Sequence, residues 1–434
     1  MWISNRRFAL KLGVCAFALA SVSFAQSGAV PPVSTTDAAI SRASNETTLT
    51  PARDTAWTGL GDAFMQKARE TADASYYTRA EAAYQKALTL SPKSIGALVG
   101  LGWVAGGRHE FEASIDWANK AIALDAHCDP AYGLLGDAAV EMGNYDEAYD
   151  QYQKMLDIRP GMASWGRSAH LLNLTGDTRR ATWLIAKAIQ ADSPFAENTA
   201  WCRAQMALMY FNQGAYLPAK NLLEEGLRVR PNDYQLLAAM AKVMAAMNDY
   251  KAAIGYYKQA VEIAPQQAVV AALGDLYALT GKSDEAKQQY ALVESIARIN
   301  KANGVKGDMV TAKFYADHDI HLDQALTLAL EEYKTRKSVY SSDTLAWVYF
   351  KNSDLDNARK YIALALKQNT PDALFRFHKG MIYAKSGNGA IARQAFYEAL
   401  SLSPKFDPMQ ATVAMETLRQ LGTHPTDAPV VAAR

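Results

Sequence analysis

The stretch richest in groups able to do chemistry is Asp317-His318-Asp319-Ile320-His321-Leu322-Asp323. Two histidines three apart, with carboxylates beside them, are ligand types that zinc accepts. The same residues suit the turn between two helices, with an Asp capping the second. No third well-spaced ligand is evident, so the turn is the expected reading. His378, in Phe375-Arg376-Phe377-His378, has no partner for nucleophilic catalysis recognisable in sequence and reads as a buried or groove-lining side chain. Gly100-Leu101-Gly102-Trp103-Val104-Ala105 fits a loose dinucleotide-binding pattern, but that pattern needs a preceding strand and a βαβ unit. Gly281-Lys282-Ser283 ends like a phosphate loop, yet the position five before Gly281 is Leu276 rather than glycine. No catalytic residue, metal or cofactor is therefore assigned.

The elements that carry these residues follow from a period. Pro160 and Pro194 are 34 apart, as are Pro231 and Pro265, and two steps of the same length back from Pro160 lead to Pro92. A fixed period of this length is expected when one helical hairpin is copied along a chain, because a lone pair of short helices cannot bury its apolar face without neighbours. The clearest copy runs Tyr132, Leu135, Gly136, Ala139, then Ala148, Tyr152 and Pro160, with Gly143-Asn144 where the first helix must stop. Gly61, Gly136 and Gly274, with Ala80 and Ala148, are small so that paired helices can approach, while Tyr84, Tyr152 and Tyr257 fill the space between hairpins.

At these positions the chain resembles the tetratricopeptide repeat family. The resemblance runs with gaps from Trp57 to Pro404: Trp57, Leu60, Gly61, Phe64, Ala80, Tyr84, Ala87 and Pro92 in the first copy, and Gly380, Tyr383, Ala392, Phe396, Ala399 and Pro404 in the last. It implies an all-α fold, about ten helix-turn-helix repeats in a right-handed α-solenoid. The first copy has seven extra residues around Glu70 to Tyr77, expected to lengthen its helices or its loop. Gly166, Ala169 and Ala186 make the copy from Ala163 to Pro194 irregular. Met409, Val413, Met415 and Leu418 predict a final amphipathic helix covering the solenoid's end.

In that family the first helices line a concave face where extended peptides or helices lie. Register places Asp62, Trp103, Asp137, Arg167, Trp201, Lys242, Asp275, Asp343, Trp347 and His378 there, a mixture of charges and aromatics able to hold basic or apolar segments. Each Trp is equally readable as inter-helix packing. Chaperone-binding members hold a C-terminal carboxylate with Lys, Asn and Arg in consecutive repeats; here Thr58 and Asp62 stand in place of the first Lys and Asn, which argues against that function.

Arg6, Arg7 and Lys11 followed by the uncharged run Leu12 to Ala25, with Ser23 and Ala25 before Gln26, have the layout of a cleavable export signal. That run is shorter than the roughly 18 residues a bilayer span needs. The stretch Ser4 to Lys11 also resembles a twin-arginine signal, although two arginines equally serve as the positive start of an ordinary one. Removing residues 1–25 changes the formal charge from +1 to −2, and a near-neutral chain has no basic field for nucleic acid. Cys128 and Cys202 fall on hairpins two units apart and are expected as free thiols.

The organisation expected is a signal at 1–25, a flexible segment at 26–53, a repeat array at 54–299, an irregular repeat-like segment at 300–338, two further repeats at 339–406, a capping helix at 407–421 and a flexible tail at 422–434. The function expected is an exported, periplasmic or secreted scaffold binding protein or peptide partners, without nucleic acid, without a membrane span in the mature chain, and not an enzyme. The alternative is a metal-dependent enzyme or a small-molecule or glycan binder using Asp317 to Asp323 and His378.

Overall fold

The first helix of most repeats ends where the backbone turns left-handed, and this sets the hairpins. Gly143, Gly176, Gly214, Gly281 and Gly387 take that conformation, and so do His109, Asn248, Asp319 and Ser353 at the equivalent turns. Glycine adopts it freely, whereas the other residues do so at a steric cost. Side chains of Asp177, Asp249, Asp354 and Asn388 then accept backbone N–H groups at the start of second helices, and those of Asp233, Asp308, Ser338 and Asp372 do the same at first helices.

The computed structural model describes residues 36–191, 196–306 and 308–422, and among these are 22 helices and no strand. After α1 (Thr36–Leu49) come hairpins α2 (Asp54–Thr71)/α3 (Ser75–Leu90), α4 (Ile95–Gly107)/α5 (Phe111–Leu124), α6 (Asp129–Glu141)/α7 (Tyr145–Ile158), α8 (Met162–Leu174)/α9 (Thr178–Gln190) and α10 (Ala196–Asn212)/α11 (Tyr216–Val229). Five more follow: α12 (Tyr234–Ala246)/α13 (Tyr250–Ile263), α14 (Gln267–Leu279)/α15 (Ser283–Ala302), α16 (Met309–Asp317)/α17 (Leu322–Tyr333), α18 (Val339–Lys351)/α19 (Leu355–Ala365) and α20 (Ala373–Lys385)/α21 (Gly389–Leu402). The helix α22 (Gln410–Gln420) ends the array.

The close approach inside each hairpin needs small residues. A Cβ at Gly136 would lie 2.2 Å from the Tyr152 ring, one at Gly274 2.5 Å from Tyr290, and one at Gly380 2.4 Å from Phe396. Tyr84 is wedged between Gly61 of its own hairpin and Gly100 of the next. Gly100 to Ala105 therefore lie in α4 as a contact surface, and Gly281 to Ser283 form the turn into α15.

Three expectations about organisation change. The reading of 26–53 as flexible fails for Thr36–Leu49, which forms α1. This helix lacks an apolar stripe; it is held by packing on α2, burial of Thr36 and Thr47 and an ion pair from Asp37 to Lys67 at 2.7 Å. Within the copy from 163 to 194, α8 and α9 are both regular helices of 13 residues, and Gly166 sits where a Cβ would lie 3.3 Å from the Trp201 ring of the following hairpin. The segment 300–338 is a complete but short hairpin, α16 having 9 residues. The proposed signal at 1–25 and the tail beyond Gly422 lie outside the described residues.

The array also returns onto itself. Turns of the early hairpins dock on the loops between later ones, with partners 189 to 197 residues apart. His109 Nδ1 meets the Lys306 carbonyl at 2.8 Å, and Lys306 pairs with Glu110 at 2.9 Å. Arg336 bonds Glu141 at 2.5 Å, and the Val339 N–H donates to the Tyr145 hydroxyl at 2.8 Å. Thr370 donates to the Leu174 carbonyl at 2.6 Å, Ser403 to that of Phe211 at 3.0 Å, and the Lys405 N–H to the Tyr216 hydroxyl at 2.8 Å. One superhelical turn thus stacks on the next along a repeated seam, and these buried backbone groups find their partners across it.

Candidate interaction face on the first helices

The small residue that admits the second-helix aromatic is followed, in three hairpins, by an aspartate that captures the phenol. Tyr84 donates to Asp62 at 2.7 Å, Tyr152 to Asp137 at 2.7 Å and Tyr290 to Asp275 at 2.9 Å. Burial, reinforced by the adjacent carboxylate, pushes the Tyr84 and Tyr152 hydroxyls well above the usual tyrosine range, so they remain donors.

Two of these carboxylates, Asp137 and Asp275, also bind the next hairpin. Arg167 on α8 grips Asp137 on α6 through Nε at 2.9 Å and Nη2 at 3.0 Å, a two-point contact only guanidinium makes. His318 reaches Asp275 at 2.9 Å from the turn after α16. His378 on α20 meets both Asp343 oxygens at 2.9 and 3.0 Å, with its ring stacked on Trp347 at 4.2 Å. Trp347 in turn donates to Asp317 at 2.8 Å, and Lys313 also pairs with Asp317. Burial, the largest single influence, would raise the Asp317 carboxyl, but Lys313 with the hydrogen bond from Trp347 and the nearby His378 together hold the group below the usual carboxylate range.

The ten register-assigned residues thus fall into two sets. Asp62 and Lys242 are exposed, and Trp103, Asp137, Arg167, Trp201 and Asp275 are half-buried. Lys242 lies over the Phe211 ring at 4.7 Å. Asp343, Trp347 and His378 are enclosed, His378 completely, and their contacts join α18 to α20. Sequence reasoning missed Lys313, Asp407 and Gln410, which gather around Asp317, and Asp372, which lies near Lys242, Asp343 and His378. Asp372 and Asp407 carry a readable signal, since each precedes a helix as its cap beside a proline.

The Asp317 to Asp323 stretch disperses in three dimensions. His318 turns to Asp275, His321 lies edge-on to Tyr315 at 5.1 Å, and Asp319 pairs with Lys351 at 2.9 Å. Among the described residues no group of three or more His, Cys, Asp or Glu is placed to hold a metal ion. Cys128 and Cys202 are buried free thiols.

The His318 contact makes a pH prediction. Burial lowers this imidazole's pKa, but the Asp275 carboxylate and the Phe314 carbonyl raise it more, leaving it above its ordinary value. Stability from such a histidine is full below its unfolded pKa of about 6.5 and is lost as pH rises through the folded value. Wild type should therefore exceed His318→Gln in unfolding free energy at mildly acidic pH, with the difference shrinking as pH rises. Denaturant melts of both proteins across that range check this; a constant difference would contradict it. Comparing the two cancels His170, which burial shifts the opposite way.

An α-solenoid of helical hairpins is the class that this architecture defines. Residues 129–161, 199–230, 234–267 and 344–405 match the tetratricopeptide repeat, and the chain is a tetratricopeptide-repeat protein. Mitochondrial import receptor subunit TOM70 of Homo sapiens, and those of Rattus norvegicus and Mus musculus, are 27% identical to it over 125 residues, covering 28% of this chain and 19% of theirs. The match spans about a fifth of the length of these relatives. Among solved structures, yeast Tom70 is similar at 15% identity over 89% of this chain and 92% of that one, with a TM-score of 0.39. Pseudomonas aeruginosa pilF is similar at 20% identity over 52% and 98%, also with a TM-score of 0.39. No helix among the described residues is long and apolar enough to cross a membrane.

Proposed function

We propose that this chain is an exported scaffold or adaptor that holds a protein partner along the first helices of its hairpins, chiefly α2 to α14. The observation carrying the proposal is the division of that face: Asp343 and His378 Nδ1 bind each other and the Trp347 N–H is spent on Asp317, while Asp62, Trp103, Trp201 and Lys242 stay at least partly accessible. Aromatics beside charges on a rigid helical surface can anchor a peptide at low entropic cost. The local likeness to subunits named as import receptors supports a protein rather than a small molecule as ligand. Export rests on the arginines and apolar run of residues 1–25.

The test is affinity capture from the native envelope fraction with the mature chain and with Trp103→Ala/Trp201→Ala, both first verified as equally helical. A protein captured by the first and lost by the second is expected. Absence of any captured protein, or capture insensitive to the substitutions, contradicts the proposal.

A further inference from the structure

The seam that stacks one superhelical turn on the next has two unused ends. It joins the turns of hairpins α4/α5, α6/α7, α8/α9 and α10/α11 with the loops that follow α15, α17, α19 and α21, from Lys306 to Lys405. Among the described residues, the turns of α12/α13, α14/α15, α16/α17, α18/α19 and α20/α21 have no such loop above them. Their state differs accordingly. A Cβ at Gly143 would meet the Lys337 carbonyl at 2.5 Å and one at Gly176 the Asn369 carbonyl at 3.0 Å, whereas Gly281 and Gly387 have nothing within 4 Å among the described residues. At the opposite edge, the loops at 91–94, 125–128 and 159–161 are likewise outside the seam.

We propose that a second copy of this chain continues the seam head to tail, its early loops docking on the later turns of the first. Charge is the first argument. Inside the molecule, acidic turns meet basic loops: Glu110 with Lys306, and Glu141 with Arg336. The open turns carry Asp284, Asp319 and Asp354, and the open loops carry Lys93, His127 and Arg159. Asp284, Asp319, His127 and Arg159 are all exposed, with neighbours of their own in Lys287, Lys351, Asp125 and Asp129. Counting hairpins across the junction sets Asp284 against Lys93, Asp319 against His127 and Asp354 against Arg159.

Completion of a hairpin is the second argument. The helix α22 packs on both α20 and α21, as each first helix packs on the hairpin before it, but no second helix follows it among the described residues, and Met409, Val413 and Met415 stay exposed. At the other end α1 packs on α2 as a second helix packs on the next hairpin. The α22 of one copy and the α1 of the next would stand together as one hairpin, with Leu49 of α1, 81% exposed, set against the exposed Met409, Val413 and Met415.

Sedimentation velocity over a concentration series tests this on the full chain. Wild type should pass from monomer to dimer and longer species, less readily in high salt. Asp284→Lys/Asp319→Lys and Lys93→Glu/Arg159→Glu, each with wild-type helicity, should each sediment as monomers, and an equimolar mixture of the two should associate again. A wild-type chain that is monomeric at every concentration, or association that neither charge reversal changes, overturns the proposal. Neither result bears on the partner captured at Trp103 and Trp201.

Discussion

His378→Ala should lower the free energy of unfolding of the C-terminal hairpins by about 1–3 kcal/mol, the cost typical of leaving a buried hydrogen-bonding partner unsatisfied. Asp343 is 2% exposed and His378 is 0% exposed, so the carboxylate left behind has no access to water. The substitution also removes the ring stacked on Trp347 and frees the packing on which the Trp347–Asp317 bond depends. Asp343→Asn keeps the shape and a hydrogen-bonding oxygen and should cost distinctly less. Repeat arrays unfold in parts, so the reading to take is hydrogen exchange of α18 to α21, where protection should fall while that of α2 and α3, outside the seam, is unchanged. Uniform loss, or none, would show that the pair does not hold these hairpins together.

Gly143→Ala should open the seam. Two costs add: the left-handed conformation at φ 79°, worth about 1–2 kcal/mol for a residue with a Cβ, and displacement of the Lys337 carbonyl from a would-be contact of 2.5 Å. Gly281→Ala carries the first cost alone, with φ 78° and open space around it. The difference between the two variants, about 1–3 kcal/mol by the usual penalty for overpacking, isolates the seam. Small-angle X-ray scattering should show a larger radius of gyration for Gly143→Ala and none for Gly281→Ala. Identical scattering from both would mean that the two turns are not held by these contacts.

Much of this architecture was legible in the sequence because each repeat marker has a local steric job. Gly136 must admit Tyr152, Ala148 must let the helices approach, and Gly143 must turn the chain, so their spacing alone implies a hairpin. Helix α1 was illegible since its composition, rich in Ala, Ser and Thr, shows no apolar face; its place comes from packing on the adjacent α2, where Asp37 meets Lys67. The inner pairs were half legible. Register put Asp137, Arg167, Asp343 and His378 on one face, but not that they would bind each other, because their partners lie 30 and 35 residues away. The seam was invisible: contacts between residues almost 200 apart depend on the superhelical pitch, which accumulates from small rotations at every hairpin.

The most direct test of the account is site-specific photo-crosslinking in the native source, with the reactive side chain placed in turn at Trp103, Trp201 and Lys242, at the enclosed Trp347, and at Lys258 on the second helix α13. A common partner joined through the first three positions and not through Lys258 or Trp347 is the predicted result. A partner joined only through Lys258, with the first-helix positions silent, would contradict the claim that this protein holds its ligand on that face.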